Sequence, residues 1–140
     1  MAESRDALTG MYLLDSNILI DLHDGIPAVE DRVSALPAVP KLSLLSWVEL
    51  EGGIDTAQAI GFDRRRTTDA LLRVFEVLPC DPAVVRAYAA ILASTGYSRR
   101  KVLDRLIAAT AIVHDLTLVT MNPADFADIP DLRLEVWPAQ

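Results

Sequence analysis

The feature that most constrains this chain is an alternation of short apolar runs with longer stretches of helical period. The runs are Met11 to Leu14, Lys41 to Leu45, Glu76 to Leu78, Leu116 to Thr120 and Leu132 to Trp137. Each has the length and bounding residues of a β-strand. Between them, Ile18, Leu19 and Leu22 carry helical spacing, and Val29, Val33 and Leu36 form a second stripe closed by Pro37 and Pro40. A helix is expected from Ser46, then a break at Gly52 and Gly53, then an arginine-rich helical region leading to Phe75. Asp81 with Pro82 starts a helix with the buried stripe Val84, Val85, Tyr88, Ile91 and Leu92, and Gly96 stops it. Arg99 to Asp115 forms another, nearly apolar all round from Leu106 to Val113 and so expected to be buried. Asn122-Pro123 opens a short helical turn. Strands that alternate with helices need crossover connections, so the expected fold is α/β, a mainly parallel sheet of about five strands with helices on both faces.

With 140 residues, 51% of them hydrophobic, the chain suits a single core and a single domain. Residues 1–10 are polar and read as a leader upstream of an alternative start at Met11, leaving 11–138 as the domain. No run approaches the roughly 18 to 20 apolar residues that a membrane span requires. Cys80 has no second cysteine to pair with, and two histidines with one cysteine cannot build the usual structural zinc clusters, so a reducing cytoplasm is expected. The formal net charge of −7 is awkward for a protein acting on a polyanion. Two divalent cations at an acidic site add +4 and leave −3. The remaining positive charge gathers in Arg64, Arg65 and Arg66 and in Arg99, Arg100, Lys101 and Arg105.

Open parallel sheets bind ligands beyond the carboxyl ends of their strands, and here those positions are acidic. Asp15 closes the first strand, Glu49 lies in the first turn after the second, and Asp125 follows Thr120 at the end of the fourth. Asp104 sits early in the buried helix, on the side of Ile107, Ala108 and Ala111, where an ionised carboxylate needs a counter-charge or a cation. Each acid also has a structural reading. Asp15 can cap a helix. Ser46 and Glu49 spell a capping box. Asp104 can pair with an arginine, and Asp125 can favour a helix dipole. None of these readings explains four acids on one edge, where pairs about 4 Å apart repel by roughly 1 to 4 kcal/mol. All-oxygen ligation selects a hard ion, Mg²⁺ or Mn²⁺, and the matching chemistry is phosphodiester hydrolysis. Glycine-loop nucleotide motifs and the nucleophile-elbow motif are missing from the sequence, and His23, His114 and Cys80 read as packing or surface residues.

MYLLDSNILIDL, SLLSWVELEGGI and VLDRLIAATAIVHDLTLVTMNPADF together resemble the PIN domain, and most closely its VapC-type toxins of toxin–antitoxin pairs. The resemblance runs from Met11 to near Pro138. It places the family's four metal-binding and catalytic acids on Asp15, Glu49, Asp104 and Asp125, with Asn17 and Thr120 at the polar positions that orient them. It implies a Mg²⁺- or Mn²⁺-dependent endoribonuclease that cuts a structured RNA such as tRNA or rRNA and arrests translation. A homodimer and a VapB-type antitoxin partner are implied as well. The alternative is a PIN-like module that binds RNA or protein without cutting. One local departure is the basic run Arg99-Arg100-Lys101, with Arg105 beyond it, ahead of and within the Asp104 helix. It reads as a phosphate-contacting patch, and equally as a solvated helix start or an antitoxin contact.

Overall fold

The computed structural model describes residues 11–54 and 59–140; the expected leader at 1–10 lies outside them. Five strands, β1 (Tyr12–Leu14), β2 (Lys41–Ser43), β3 (Val77–Leu78), β4 (Thr117–Thr120) and β5 (Leu134–Val136), pair in the order β3-β2-β1-β4-β5, and every pairing is parallel. Helices α1 (Ser16–His23) and α2 (Pro27–Ser34) join β1 to β2. Helices α3 (Leu44–Gly52) and α4 (Ala59–Val74) precede β3, and α5 (Pro82–Thr95) and α6 (Val102–Val113) precede β4. A 3-10 turn, Arg99–Lys101, leads into α6, and another, Pro123–Asp125, follows β4.

Alternation within β1 divides the interior into two layers, because successive strand side chains leave opposite faces of the sheet. Leu13 packs with Val84, Ile91, Ile107, Ala108, Ala111, Leu118 and Phe126 beneath α5 and α6. Tyr12 and Leu14 pack on the other face with Ile18, Leu19, Val29, Leu42, Leu50 and Val119. Helix α6 is enclosed as its composition demands, with Ile107 through Ala111 all fully buried. Its one polar member there, Thr110, satisfies its hydroxyl by donating to the Leu106 carbonyl. The expected α5 boundaries hold: Asp81 accepts from the Val84 N–H and Gly96 ends the helix at φ 80°, a conformation that favours glycine.

One boundary differs in a way that matters for the site. The apolar run Lys41 to Leu45 yields only three strand residues, and α3 begins at Leu44 with Ser43 as its cap, accepting from the Leu45 N–H. Ser46 therefore lies inside the helix, and the capping-box reading of Ser46 and Glu49 is corrected. Ser43 was the stronger cap because it sits where the strand ends, whereas Ser46 is fully buried and finds a different partner.

The strand order also fixes where a ligand goes. From β1 the chain moves outward through β2 to β3, then returns to the other side of β1 as β4 and continues to β5. The order reverses between β1 and β4, and a crevice opens at their carboxyl ends. Asp15 and Thr120 stand on its two sides.

Candidate active site

Asp15 follows β1 directly, and its backbone N–H donates to the Val119 carbonyl, which extends the pairing of β1 with β4 to the edge of the crevice. Its carboxylate is 4% exposed. One oxygen accepts the Ser16 N–H at 2.8 Å, so Asp15 caps α1, and the other accepts the Thr120 hydroxyl at 2.8 Å. Thr120 is itself oriented, because its oxygen accepts the Asn122 N–H at 2.9 Å. Capping and site duty are thus one geometry. Burial pushes the Asp15 carboxyl up from its ordinary value, against the hydrogen bonds from Thr120 and Ser16, and the neighbouring Glu49 and Asp125 push it the same way as burial.

Glu49 reaches the site from the second turn of α3. Its carboxylate accepts the Ser16 hydroxyl at 2.7 Å, and that hydroxyl also lies 2.9 Å from the buried Ser46 hydroxyl. Ser16 and Ser46 are therefore positioning groups that the sequence reading did not assign. The available signal was spacing, since Ser46 and Glu49 share a helix face at i and i+3 and Ser16 neighbours an acid at a strand end.

Asp104 projects from the first turn of α6 and is pushed up to about 6, first by burial and then by Asp15, Asp125 and Glu49, with Lys101 opposing. Asp15 and Asp104 thus each feel the charge of Glu49 and Asp125 as neighbours. The ion-pair alternative for Asp104 is not found: among the described residues its nearest opposing influence is Lys101, and no bridge within 4 Å involves it. Asp125 ends the 3-10 turn after β4, half-buried. As they stand, no three acidic, histidine or cysteine side chains among the described residues are close enough to chelate one ion. A cation would offset the repulsion that carboxylates brought closer together would feel. The donor set itself, carboxylates and hydroxyls with no nitrogen or sulfur, fits a hard divalent ion.

The remaining predicted site residues divide. Thr120 is at the site. Asn17 is exposed on α1 and has no hydrogen bond to the four acids among the described residues. Arg99 and Arg100 are exposed in the turn before α6, and Lys101 is half-buried beside Asp104. Arg105 is placed differently from the expectation of an RNA-facing cation: its side chain is 3% exposed and engaged internally. One residue along a helix turns a side chain by about 100°, which carries Arg105 away from the face of Asp104. Arg64 and Arg65 are likewise committed, to Asp24 and to Glu51 with Asp69. His23 is a packing residue as expected, clasping α4 through the Arg64 carbonyl and Thr68 hydroxyl.

Removing the Thr120 hydroxyl tests how much the orientation of Asp15 matters. Thr120→Val keeps the shape but leaves one Asp15 oxygen without its donor, and groups that orient metal-binding carboxylates are typically worth about 10- to 100-fold in affinity or activity. A loss of that order with an unchanged circular dichroism spectrum is expected; full activity would mean that Asp15 is held well enough by Ser16 alone.

A doubly wound parallel sheet with carboxylates gathered at its switch point defines the class, an α/β domain with an acidic ligand site. The chain belongs to the PIN-domain family, whose model matches residues 12–132. It is 35% identical over 127 residues to Ribonuclease VapC10 of Mycobacterium tuberculosis, covering 88% of this chain and 91% of that protein. Among solved structures it resembles a toxin–antitoxin complex from Klebsiella pneumoniae, with a TM-score of 0.73 and 28% identity over 91% of this chain and 99% of the other. It also resembles VapBC2 from Rickettsia felis bound to a promoter DNA fragment, with a TM-score of 0.77 over 91% and 98%; at 24% identity that likeness speaks to the fold alone.

Proposed function

We propose that this protein is a VapC-type toxin, a Mg²⁺- or Mn²⁺-dependent endoribonuclease that hydrolyses phosphodiester bonds in a structured RNA such as tRNA or rRNA and so arrests translation. The observation that carries this reading is the convergence of Asp15, Glu49, Asp104 and Asp125, from four separate segments, on the crevice between β1 and β4. Carboxylates such as Asp15 and Asp104, raised by burial and by their acidic neighbours, are poorly stable alone and well suited to a divalent cation. A 35% identical ribonuclease and structural relatives that are toxin–antitoxin complexes support the same reading.

In this reading Asp15 and Asp104 are the principal ligands, with Glu49 and Asp125 completing the ring. A bound divalent ion supplies Lewis acidity toward the phosphate and lowers the pKa of a coordinated water. The protein's share is to aim the carboxylates: Thr120 and the Ser16 N–H hold Asp15, while the Ser16 hydroxyl holds Glu49. Arg99, Arg100 and Lys101 lie at the approach to Asp104 and meet RNA phosphates. The toxin works as a homodimer in the cytoplasm and is neutralised by a VapB-type antitoxin. No helix among the described residues is long and apolar enough to cross a membrane.

The test is sequencing of RNA 5′ ends after induced expression of wild type and Asp15→Asn. Discrete new ends in the wild type alone are expected. Identical ends in both, together with failure to bind Mg²⁺ or Mn²⁺ at millimolar concentration, would favour a module that binds without cutting.

A further inference from the structure

Arg105 is a buried cation next in sequence to a proposed metal ligand, and the four-acid reading gives it no task. Its side chain is 3% exposed. One terminal nitrogen donates to the Gly96 carbonyl at 2.6 Å, and the other meets the Asp128 carboxylate at 3.3 Å. The third nitrogen, Nε, is buried and has no partner among the described residues. A charge taken out of water with part of its donor capacity unused is a costly way to hold a core together, and a leucine or methionine would fill the volume without that penalty. What it joins is given by its two partners.

Both partners sit on segments that lead to or from site elements. Asp128 lies three residues after Asp125, in a compact segment where the Phe126 N–H bonds the Pro123 carbonyl and the Ile129 N–H bonds the Phe126 carbonyl. Phe126 and Ile129 are buried beneath α6, so this segment moves as a unit with its anchors. Gly96 ends α5 and begins the link to the basic turn Arg99–Lys101. Asp125 is otherwise carried on a loop after β4, with no hydrogen bond from its carboxylate to another element among the described residues.

We infer that Arg105 is a positioning residue of the acidic site: its buried guanidinium joins the Asp125-bearing loop, through Asp128, to the helix that carries Asp104. The same side chain fixes the end of α5 ahead of the basic turn. The tether adds to the apolar anchoring of Phe126 and Ile129 in fixing the separation of Asp104 and Asp125. A planar, forked cation can bridge a carbonyl and a carboxylate that diverge, whereas lysine offers one point of attachment.

This inference rests on the proposed metal site, so the experiment carries a control for it. Mn²⁺ affinity is measured by electron paramagnetic resonance for wild type, Asp15→Asn, Arg105→Lys, Asp128→Asn and the double variant Arg105→Lys/Asp128→Asn, with helical content and thermal midpoint alongside. Asp128 is 46% exposed, so Asp128→Asn removes the charge while keeping the side chain's size and an oxygen that can accept from Arg105, and the thermal midpoint shows whether the fold survives each change. Expected is a Mn²⁺ dissociation constant raised about tenfold or more in each single variant, the range for groups that orient metal ligands. The double variant should be no weaker than Arg105→Lys, because both act through one contact. Amide exchange at Phe126 and Ile129 should quicken in Asp128→Asn. Loss of Mn²⁺ binding in Asp15→Asn, with unchanged affinity in Arg105→Lys and Asp128→Asn, would leave the metal site standing and overturn the tether. A wild type that binds no Mn²⁺ would overturn both.

Discussion

Asp15→Asn should lose RNA cleavage by about a thousandfold or more while the metal-free protein melts no lower than the wild type. The activity loss follows from removing the best-held carboxylate of the site. Metal stabilisation of a phosphoryl transition state is worth several kcal/mol, and each 1.36 kcal/mol is tenfold in rate, which gives about a thousandfold. The stability prediction has its own cause. Burial and the carboxylates of Glu49 and Asp125 raise the Asp15 pKa, so its ionised form weakens the fold at neutral pH. Asparagine removes that charge and keeps the oxygen that caps α1 through the Ser16 N–H. Its cost is the bond with the Thr120 hydroxyl, about 0.5 to 1.5 kcal/mol. Cleavage in vitro and a thermal melt in chelator separate a lost ligand from a lost fold. Full cleavage by Asp15→Asn would remove the central ligand from the proposal, and a melt several degrees lower would make its inactivity uninformative.

Much of this architecture was legible because the physical signals were local. Strand-length apolar runs placed β1, β4 and β5 to within one or two residues, and Asp81-Pro82 with Gly96 delimited α5 by cap chemistry. Asp15 and Asp125 stood out because they follow β1 and β4, at the end of the sheet where parallel folds bind ligands. The details that differ depend on which neighbours each side chain meets in the fold. Ser46 looks like a cap until Ser43 takes that role and the hydroxyl of Ser16, thirty residues away, meets that of Ser46. Asn17 fits a familiar D-S-N pattern, but it is exposed with no hydrogen bond to the four acids among the described residues, and it is the Ser16 hydroxyl that meets Glu49. Arg105 belonged by sequence to a basic run, and only the packing of α5, α6 and the loop after β4 shows it as an interior tie. Charge sign is visible in a sequence, whereas the direction of a side chain on a helix depends on which face is covered.

The acids that are expected to make the site active also make the empty fold fragile, and this predicts an unusual pH response. Asp104 has a folded-state pKa of about 6 against an ordinary 3.8, raised first by burial and then by the other three carboxylates. A raised carboxyl binds its proton more tightly folded than unfolded, so its stabilising contribution is complete below about 3.8 and is lost as pH rises through about 6. Above about pH 4.5, metal-free protein should therefore lose stability up to about pH 6 and level off by about pH 7. Because Asp104 is only half-buried and solvent screens it, the effect is on the order of 1 kcal/mol. Glu51 behaves oppositely, lowered to about 2 by its hydrogen bonds from Arg65 and Trp47, but its contribution falls away only below about 4.5, outside this window. Asp104→Asn should flatten the decline. Mg²⁺ should reverse it, since a ligand at a hundred times its dissociation constant stabilises by about 2.7 kcal/mol, or roughly 8 to 12 °C for a domain of this size. That gain should grow from pH 5 to 7, as protons cease to compete for the carboxylates, and shrink in Asp15→Asn and Asp104→Asn. Melting curves at pH 5, 6 and 7, with chelator and with Mg²⁺, decide the matter: equal midpoints with and without the ion at pH 7 would mean that the four carboxylates do not form a metal site.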